Sequence, residues 1–392
     1  MKLGMILGLA SLPKQLEMSA LSMINSFSIA GMRMPITDIL SAAIESSSQR
    51  YLAAFNSCTI ISNSEKDINT MENTNNNKIS VIISTYNGER FITQQLKSIV
   101  AQSTLPDEII ICDDCSIDKT VSKAESCLLS TSISYKIIQH KKNTGVRNSF
   151  SELMKQANGD YIFLCDQDDV WMPDKIERFL QLFKSENSDL VYSDAFITDS
   201  KLNKKVTTMW QENHFFLPNA AFGKKEIINE MLKRNLFTGM SMAVSRNLIN
   251  KSNFNMNHML HDEILGWTAL RYGKISFLNE CTAYYRQHGN NTVGVRKYTK
   301  YTNMKQAVTK VQESTTYNCK RIKEASSLFS GTEYESQLEK AIQYYEKRIT
   351  LYSENRFKAL SDYLFLLPYY STYSLPTAHE KPKDLACILF HQ

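Results

Sequence analysis

A chain of 392 residues, 43% hydrophobic and 22% charged, has the composition of a folded globular protein, which excludes a disordered, collagen-like or multi-spanning membrane chain. Its 45 basic and 40 acidic residues leave a net charge of +5, too mild to mark a nucleic-acid binder. Eight cysteines are too dilute for a disulfide framework and suggest a reducing compartment, and no apolar run approaches the roughly 20 residues that span a bilayer.

Residues 1–77 differ in character from the rest of the chain. MKLGMILGLASLP lacks the clean small-residue cleavage site of a secretory signal, and the stretch closes on the polar run Asn73-Thr-Asn-Asn-Asn77, a linker composition. The expectation is a poorly ordered extension outside the catalytic fold, with an amphipathic membrane-touching segment within residues 15–45 as the alternative. From Lys78 the pattern is regular. KISVIIST is a strand, Asn87-Gly88 breaks it, and ERFITQQLKSIVAQ has helical spacing of apolar positions. DEIIICDD is a second strand; SIDKTVSKAESCLL is a second helix, opened by Ser116 with Asp118 in its first turn. YKIIQHKKN, VRNSFSELMKQA and DYIFLCDQDD continue the alternation as strand, helix and strand. KIERFLQLFKSE then reads as a helix and LVYSDAF as a strand; the chain is less regular up to Tyr285, and helical periodicity returns from Lys297. The predicted architecture is α/β, a mostly parallel central sheet with helices on both faces and a C-terminal helical extension. The expected domains are an extension 1–77, a catalytic domain 78–296 and a helical tail 297–392.

In such sheets ligands bind beyond the carboxyl ends of the strands, so the polar residues after each apolar run carry the functional information. The first strand ends in Ser84-Thr85-Tyr86-Asn87-Gly88-Glu89, a set that suits either a nucleoside or a turn. Neither a G-x-G-x-x-G nor a P-loop motif is present. The second strand ends in Cys112-Asp113-Asp114-Cys115, where two acids between the thiols oppose a redox role by raising thiol pKa. Without a second Cys/His cluster zinc is disfavoured too, and Asp113 and Asp114 are read as acceptors for a base N–H. The fourth strand delivers Asp166, Asp168 and Asp169 within one turn. Like charges so placed repel unless a cation such as Mg²⁺ or Mn²⁺ bridges them to a diphosphate; the alternative is a solvated acidic turn.

The blocks SVIISTYNGERFITQQLKSIVAQ, CDDCSIDKT, GDYIFLCDQDDVW, LHDEILGW and YYRQHGNN, in that order, resemble family 2 glycosyltransferases of the GT-A fold. The DQDDVW form and the HD…RQHGNN pair resemble the rhamnosyltransferase-like branch that builds bacterial surface polysaccharides, over roughly residues 78–296. The resemblance implies an inverting, metal-dependent transferase taking a nucleotide-diphospho-sugar donor, with deoxythymidine-diphosphate-rhamnose the first to try, and a saccharide acceptor, lipid-linked. It implies that Thr85, Tyr86, Glu89, Asp113, Asp114, Arg147 and Asp166 line the nucleotide site. Asp168, Asp166 and His288 would hold Mg²⁺ or Mn²⁺, Asp262 would be the general base, and Gly239 and His261 would lie at the acceptor site. Such an enzyme would be cytoplasmic, peripheral on the inner face of the cytoplasmic membrane, with no nucleic acid as partner.

Weaker signals stay open. His258 and His261 are spaced as a metal-binding pair could be, but are read as incidental; Glu263 competes with Asp262 for the base role. Trp267 is read as core, Trp171 as core or sugar platform, and Asn290-Asn291-Thr292 as a glycan acceptor unused in the cytoplasm. The tail tyrosines Tyr344, Tyr345, Tyr352, Tyr363, Tyr369, Tyr370 and Tyr373 suit either an anionic lipid surface or a helical layer on the catalytic domain. Two rival functions are a sugar-phosphate nucleotidyltransferase, which needs a Gly-rich basic loop absent after the first strand, and a non-catalytic nucleotide-sugar binding protein.

Overall fold

The computed structural model describes residues 77–213, 223–289, 304–351 and 355–374, together with 381–382, 384–385 and 388. The expected extension, except for Asn77, lies outside these residues, as do the 296/297 boundary, Asn290-Asn291-Thr292 and Tyr352.

The apolar runs after Lys78 are strands β1 (Ile79–Thr85), β2 (Glu108–Asp113), β3 (Ser134–Gln139) and β4 (Tyr161–Asp166). β1 pairs in parallel with both β2 and β4, and β2 with β3. Val81, Ile82 and Ile83 are all inaccessible to solvent, which requires cover on both faces of the sheet and explains why the run does not alternate. Helices α1 (Ile92–Val100), α2 (Thr120–Leu128), α3 (Val146–Gln156) and α4 (Lys175–Glu186) supply much of that cover. In α1 the buried Ile92, Leu96 and Ile99 recur at helical spacing, as the sequence predicted.

α2 begins at Thr120, not at Ser116. Ser116 is captured by Asp113, which accepts both its N–H (2.8 Å) and its hydroxyl (2.6 Å), so the expected cap is consumed in the loop. Asp118 accepts the Thr120 N–H at 2.9 Å from outside the helix.

Five further strands complete a nine-stranded sheet: β5 (Val170–Trp171), β6 (Leu190–Thr198), β7 (Lys204–Thr208), β8 (Met242–Ser245) and β9 (Ile275–Arg286). The order is β3-β2-β1-β4-β8-β6-β9-β5, with β7 on β6. β8 runs antiparallel to β4 and β6, whereas β9 is parallel to β6 and antiparallel to β5. The parallel half is the predicted one, and the sheet becomes mixed beyond β4. β6 contains the predicted LVYSDAF run, whereas β7, β8 and β9 fall in the less regular stretch, where β8, only four residues long, is too short to show a period. This mixed sheet with helices on both faces is the GT-A architecture.

Between the strands lie α5 (Met209–Glu212), α6 (Lys224–Lys233), a 3₁₀ turn (Gly239–Ser241), α7 (Arg246–Lys251) and α8 (His261–Tyr272). α8 is buried continuously from His261 to Leu270, so it is a core helix without an amphipathic stripe. The tail forms α9 (Met304–Ser326), α10 (Glu335–Thr350), α11 (Arg356–Leu366) and α12 (Tyr370–Tyr373). Tyr344, Tyr345, Tyr363, Tyr370 and Tyr373 are buried there, and the Tyr345 hydroxyl donates to Leu232 O at the end of α6 (2.8 Å). Arg348 Nε pairs with the buried Asp384 at 2.7 Å, and Tyr370 donates to the same carboxylate at 2.6 Å. These five tyrosines therefore belong to a helical layer against the catalytic half. Among the described residues no helix is long and apolar enough to cross a membrane.

Candidate active site

The carboxyl ends of β1, β2 and β4 are in register, with Thr85 opposite Asp113 and Ser84 opposite Asp166. Thr85 Oγ1 donates to Asp113 Oδ1 at 2.7 Å, so Asp113 is occupied by Thr85 and Ser116. Asp114 Oδ1 accepts the Thr144 N–H (2.8 Å) and hydroxyl (2.9 Å) and faces His140 Nδ1 (2.9 Å); Oδ2 accepts only the Gly145 N–H (2.7 Å). Burial raises the Asp114 pKa, but these bonds outweigh it and hold the carboxyl below the usual range. Tyr86 is half exposed at the strand end, while Glu89 accepts the Lys119 N–H at 3.0 Å and ties α2 to the first loop. Arg147 Nη1 is engaged by Met256 O (3.1 Å) and Asn257 O (2.6 Å). The C-x-x-C behaves as its acids suggest: burial first, then Asp114 and other acids, push the Cys112 thiol up to about 11.

The acidic turn after β4 is built from both sides. Gln167, the middle residue of Asp166-Gln167-Asp168, accepts the Tyr86 N–H (2.9 Å) and donates to Tyr86 O (3.0 Å), strapping the β4 end to the β1 end. A Cβ on Gly88 would stand 2.0 Å from Gln167 Oε1, so the glycine is needed for this close approach. Asp168 Oδ2 lies 2.7 Å from His288 Nε2, and the His288 ring stacks on Phe91 at 4.7 Å. Pairing of Val170 with Tyr284 across β5 and β9 carries Arg286 and His288 to this turn. Asp169 is fully buried; its Oδ1 accepts the Arg286 N–H at 2.9 Å, whereas Oδ2 has no partner among the described residues.

Two buried cations escaped the sequence reading. Arg286 donates to Asp168 O (2.6 Å), Ser200 O (2.8 Å) and Gln94 Oε1 (2.7 Å), with its guanidinium over Phe91. The Arg286-Gln287-His288 string contains it, but nothing local marks it as the strut of the turn. Lys175 opens a helix that looks ordinary in sequence; it is inaccessible, donates to Met240 O at 2.5 Å and lies 4.4 Å from the Trp171 ring. Burial brings its amine down to about 8, against the pull of Cys165, Asp169 and Asp166. Trp171 is accordingly core, as is the inaccessible Trp267.

Asp262 stands in the first turn of α8 and is 8% exposed. Burial pushes its carboxyl up to about 7; the Glu263 backbone N–H opposes the rise, the Glu263 charge adds to it, and the Gly239 backbone and Asn235 side chain oppose it further. Asp166 is also pushed up to about 7, by burial and then by the charges of Asp168 and Asp262. Asp262, Asp166, Asp168 and His288 thus form one electrostatically connected group. His261 packs face to face on Phe150 at 3.7 Å, and neither ring nitrogen meets a partner among the described residues. Burial drives its pKa down to about 3, so it is neutral, and a Cβ on Gly239 would come within 2.8 Å of its Nε2. His258 instead pairs with Glu324 at 2.8 Å, so the two histidines do not converge. Glu263 is paired with the buried Arg321.

Among the described residues no three His, Cys, Asp or Glu side chains form a ready-made metal cage. Asp168 and His288 offer an oxygen and a nitrogen donor, and the mutual repulsion of the neighbouring acids is the excess negative charge that a divalent cation relieves. These donors would suit a hard divalent cation such as Mg²⁺ or Mn²⁺, which would supply positive charge beside the acids.

The model of Glycosyl transferase family 2 matches residues 80–251. The dTDP-rhamnosyl transferase RfbG of Shigella flexneri is 32% identical over 226 residues, spanning 54% of this chain and 73% of that relative. The chain belongs to glycosyl transferase family 2. The UDP-Glc:alpha-D-GlcNAc-diphosphoundecaprenol beta-1,3-glucosyltransferase WfgD of Escherichia coli is 24% identical, over 51% of this chain and 73% of that one. Among solved structures, S. aureus TarS 1-349 superposes with a TM-score of 0.47 at 15% identity, over 79% of this family 2 chain and 81% of that chain. As a family 2 glycosyltransferase acting on nucleotide sugars, the protein departs from the rival nucleotidyltransferase reading.

Proposed function

We propose that this glycosyltransferase moves a sugar, with rhamnose the first candidate, from a nucleoside-diphosphate donor to a saccharide acceptor with inversion at the anomeric carbon. The observation that carries the reading is the effect of the Asp262 charge on Asp166 at the carboxyl edge of the sheet, which supports their convergence on one reacting centre. The acceptor oxygen bonds to the anomeric carbon as the bond from that carbon to the diphosphate oxygen breaks. The electron pair leaves with the diphosphate, and the acceptor proton passes to Asp262. A carboxyl poised at about 7 is matched to that role, whereas Glu263 is held by Arg321 and would have to break a buried pair to serve. Gly239 and the neutral His261 line the acceptor side.

At the donor end, the exposed Tyr86 ring offers a surface for the base, and Asp114 Oδ2 retains a lone pair for a ring N–H. Thr85, Asp113 and Glu89 shape this pocket. Asp168 and His288, with Asp166 beside them, would hold Mg²⁺ or Mn²⁺, which when bound neutralises charge on the departing diphosphate.

The test is a panel of UDP-, GDP- and dTDP-sugars with Mg²⁺ or Mn²⁺, read as nucleoside diphosphate released and as the anomeric configuration of the product. Release is expected from dTDP-rhamnose with inversion; nucleotide binding without transfer to any acceptor would instead favour the non-catalytic reading.

A lipid-linked acceptor in surface polysaccharide synthesis is part of the proposal, supported by the diphosphoundecaprenol acceptor in the name of the Escherichia coli relative. Peripheral attachment to the inner face of the cytoplasmic membrane is supported by α11, whose Phe357, Leu360 and Leu364 face outward beside the exposed Lys358. The protein is expected to float with vesicles containing anionic lipid and Leu364→Glu to reduce that recovery; equal recovery of both proteins would remove α11 as the contact.

A further inference from the structure

The tail helix α9 reaches the base through one side chain. Arg321 is 1% exposed and donates from Nη1 to Glu263 and to Met231 O (2.8 Å), from Nη2 to Leu232 O (3.1 Å), and from Nε to Asn318 Oδ1 (3.0 Å). Glu263, Met231 and Leu232 all lead to Asp262. Glu263 is the next residue in α8, and its backbone N–H donates to Asp262 Oδ1 at 2.8 Å. Met231 and Leu232 belong to the last turn of α6, where free carbonyls favour a cation. The chain leaving that turn supplies Gly239 and Asn235, which join the Glu263 backbone N–H in opposing the rise of the Asp262 pKa. One guanidinium therefore joins the helix that bears Asp262 to the segment that surrounds it.

The same tail makes further contacts along α8. Glu324 accepts the N–H groups of Asn257 (2.9 Å) and His258 (3.0 Å) in the loop before α8, and Arg271 near its far end donates to Leu328 O at 2.8 Å. A layer that merely covered apolar surface would not need a fully buried charge pair, which costs desolvation and is often no more stabilising than hydrophobic packing. We propose that the C-terminal helical layer is a working part of the active site, with Arg321 a positioning residue that sets the aim of Asp262. The inference rests on the proposed role of Asp262 as base.

The experiment compares full-length wild type, Arg321→Met, Arg321→Lys and Asp262→Asn. Each is measured for turnover of the nucleotide-sugar panel, for binding of UDP, GDP and dTDP, and for hydrogen–deuterium exchange over residues 260–272. Arg321→Met is expected to lower kcat by about ten- to a hundredfold, as displacement of a reacting group does, with donor KM and nucleoside diphosphate affinity within about twofold of wild type. Exchange in the first turn of α8 rises while β1, β2 and β4 keep their protection, and Arg321→Lys recovers part of the lost rate. If the single variant does not fold, Glu263→Gln/Arg321→Met, which leaves no unpaired buried charge, takes its place with the same expected split.

A wild-type kcat in Arg321→Met, or a rate loss matched by lost nucleotide affinity and raised exchange throughout the sheet, overturns the inference. If Asp262→Asn turns over normally, or if wild type uses no donor of the panel, the base reading fails separately. The exchange of α8 then decides the clasp alone, and unchanged protection refutes it.

Discussion

Replacing Asp262 by Asn is expected to lower kcat by about two to four orders of magnitude, the usual worth of a positioned general base, with donor affinity retained. The amide is nearly the same size and keeps an acceptor oxygen for the Glu263 N–H, so the loss is of proton acceptance and not of shape. In wild type, kcat should rise with pH through about 7, because the base works only when ionised and burial has raised its pKa to that value. The stability effect has the opposite sense. A carboxyl whose folded pKa lies above its unfolded value favours the fold most when protonated, so its contribution is complete near pH 4 and is lost as pH rises through 7. Asp262→Asn should therefore melt higher than wild type at pH 8, with the advantage shrinking toward pH 4. A normal rate in this variant would move the base elsewhere, and a lower melting temperature at pH 8 would contradict the buried charge.

Asp168→Ala is expected to cost about three orders of magnitude in turnover, comparable to losing a preorganised charge-stabilising group, and to abolish enhancement of nucleoside diphosphate binding by Mg²⁺ or Mn²⁺. The fold should survive. Removing Asp168 takes a like charge away from Asp166 and Asp169, whose pKa values it helps to raise, while Gln167 and Arg286 still hold the turn through backbone groups. Calorimetry of UDP, GDP and dTDP with and without the metal checks the binding half. Full turnover of wild type in excess chelator would sink the metal half.

Much of this site is legible in the residues because its polar groups follow apolar strands. An uninterrupted run such as KISVIIST has to be covered on both faces, and its alternation with helices points to parallel strands whose carboxyl ends put Thr85, Asp113 and Asp166 on one edge. Acids crowded at Asp166, Asp168 and Asp169 signal chemistry because isolated like charges repel. Ser116 departs from its local pattern, since a favourable helix cap is captured by Asp113 across the loop. Local propensity assigns such a residue to its helix, whereas a nearby carboxylate offers two bonds instead of one.

Contacts between distant segments follow no local pattern. Lys175 has the sequence context of an exposed helix start and is buried against Trp171 and Met240; Arg286 lies in a recognisable string without any sign of its role as a strut; Arg321 sits in a tail with no motif. Each neutralises charge or free carbonyls brought together from elements far apart in the chain, and a one-dimensional pattern records composition and period but not which strangers meet.

The chain by itself therefore determined the strand–helix alternation, the edge where the polar strand ends gather and the family, since periodicity and strand-end acids are local properties. Only the tertiary structure decided that Asp262 shares an electrostatic field with Asp166, that Glu263 is bound by Arg321, and that five of the tail tyrosines are buried. The reason is that desolvation and charge pairing depend on distance in space, which is set when the mixed half of the sheet and the C-terminal layer close around α8.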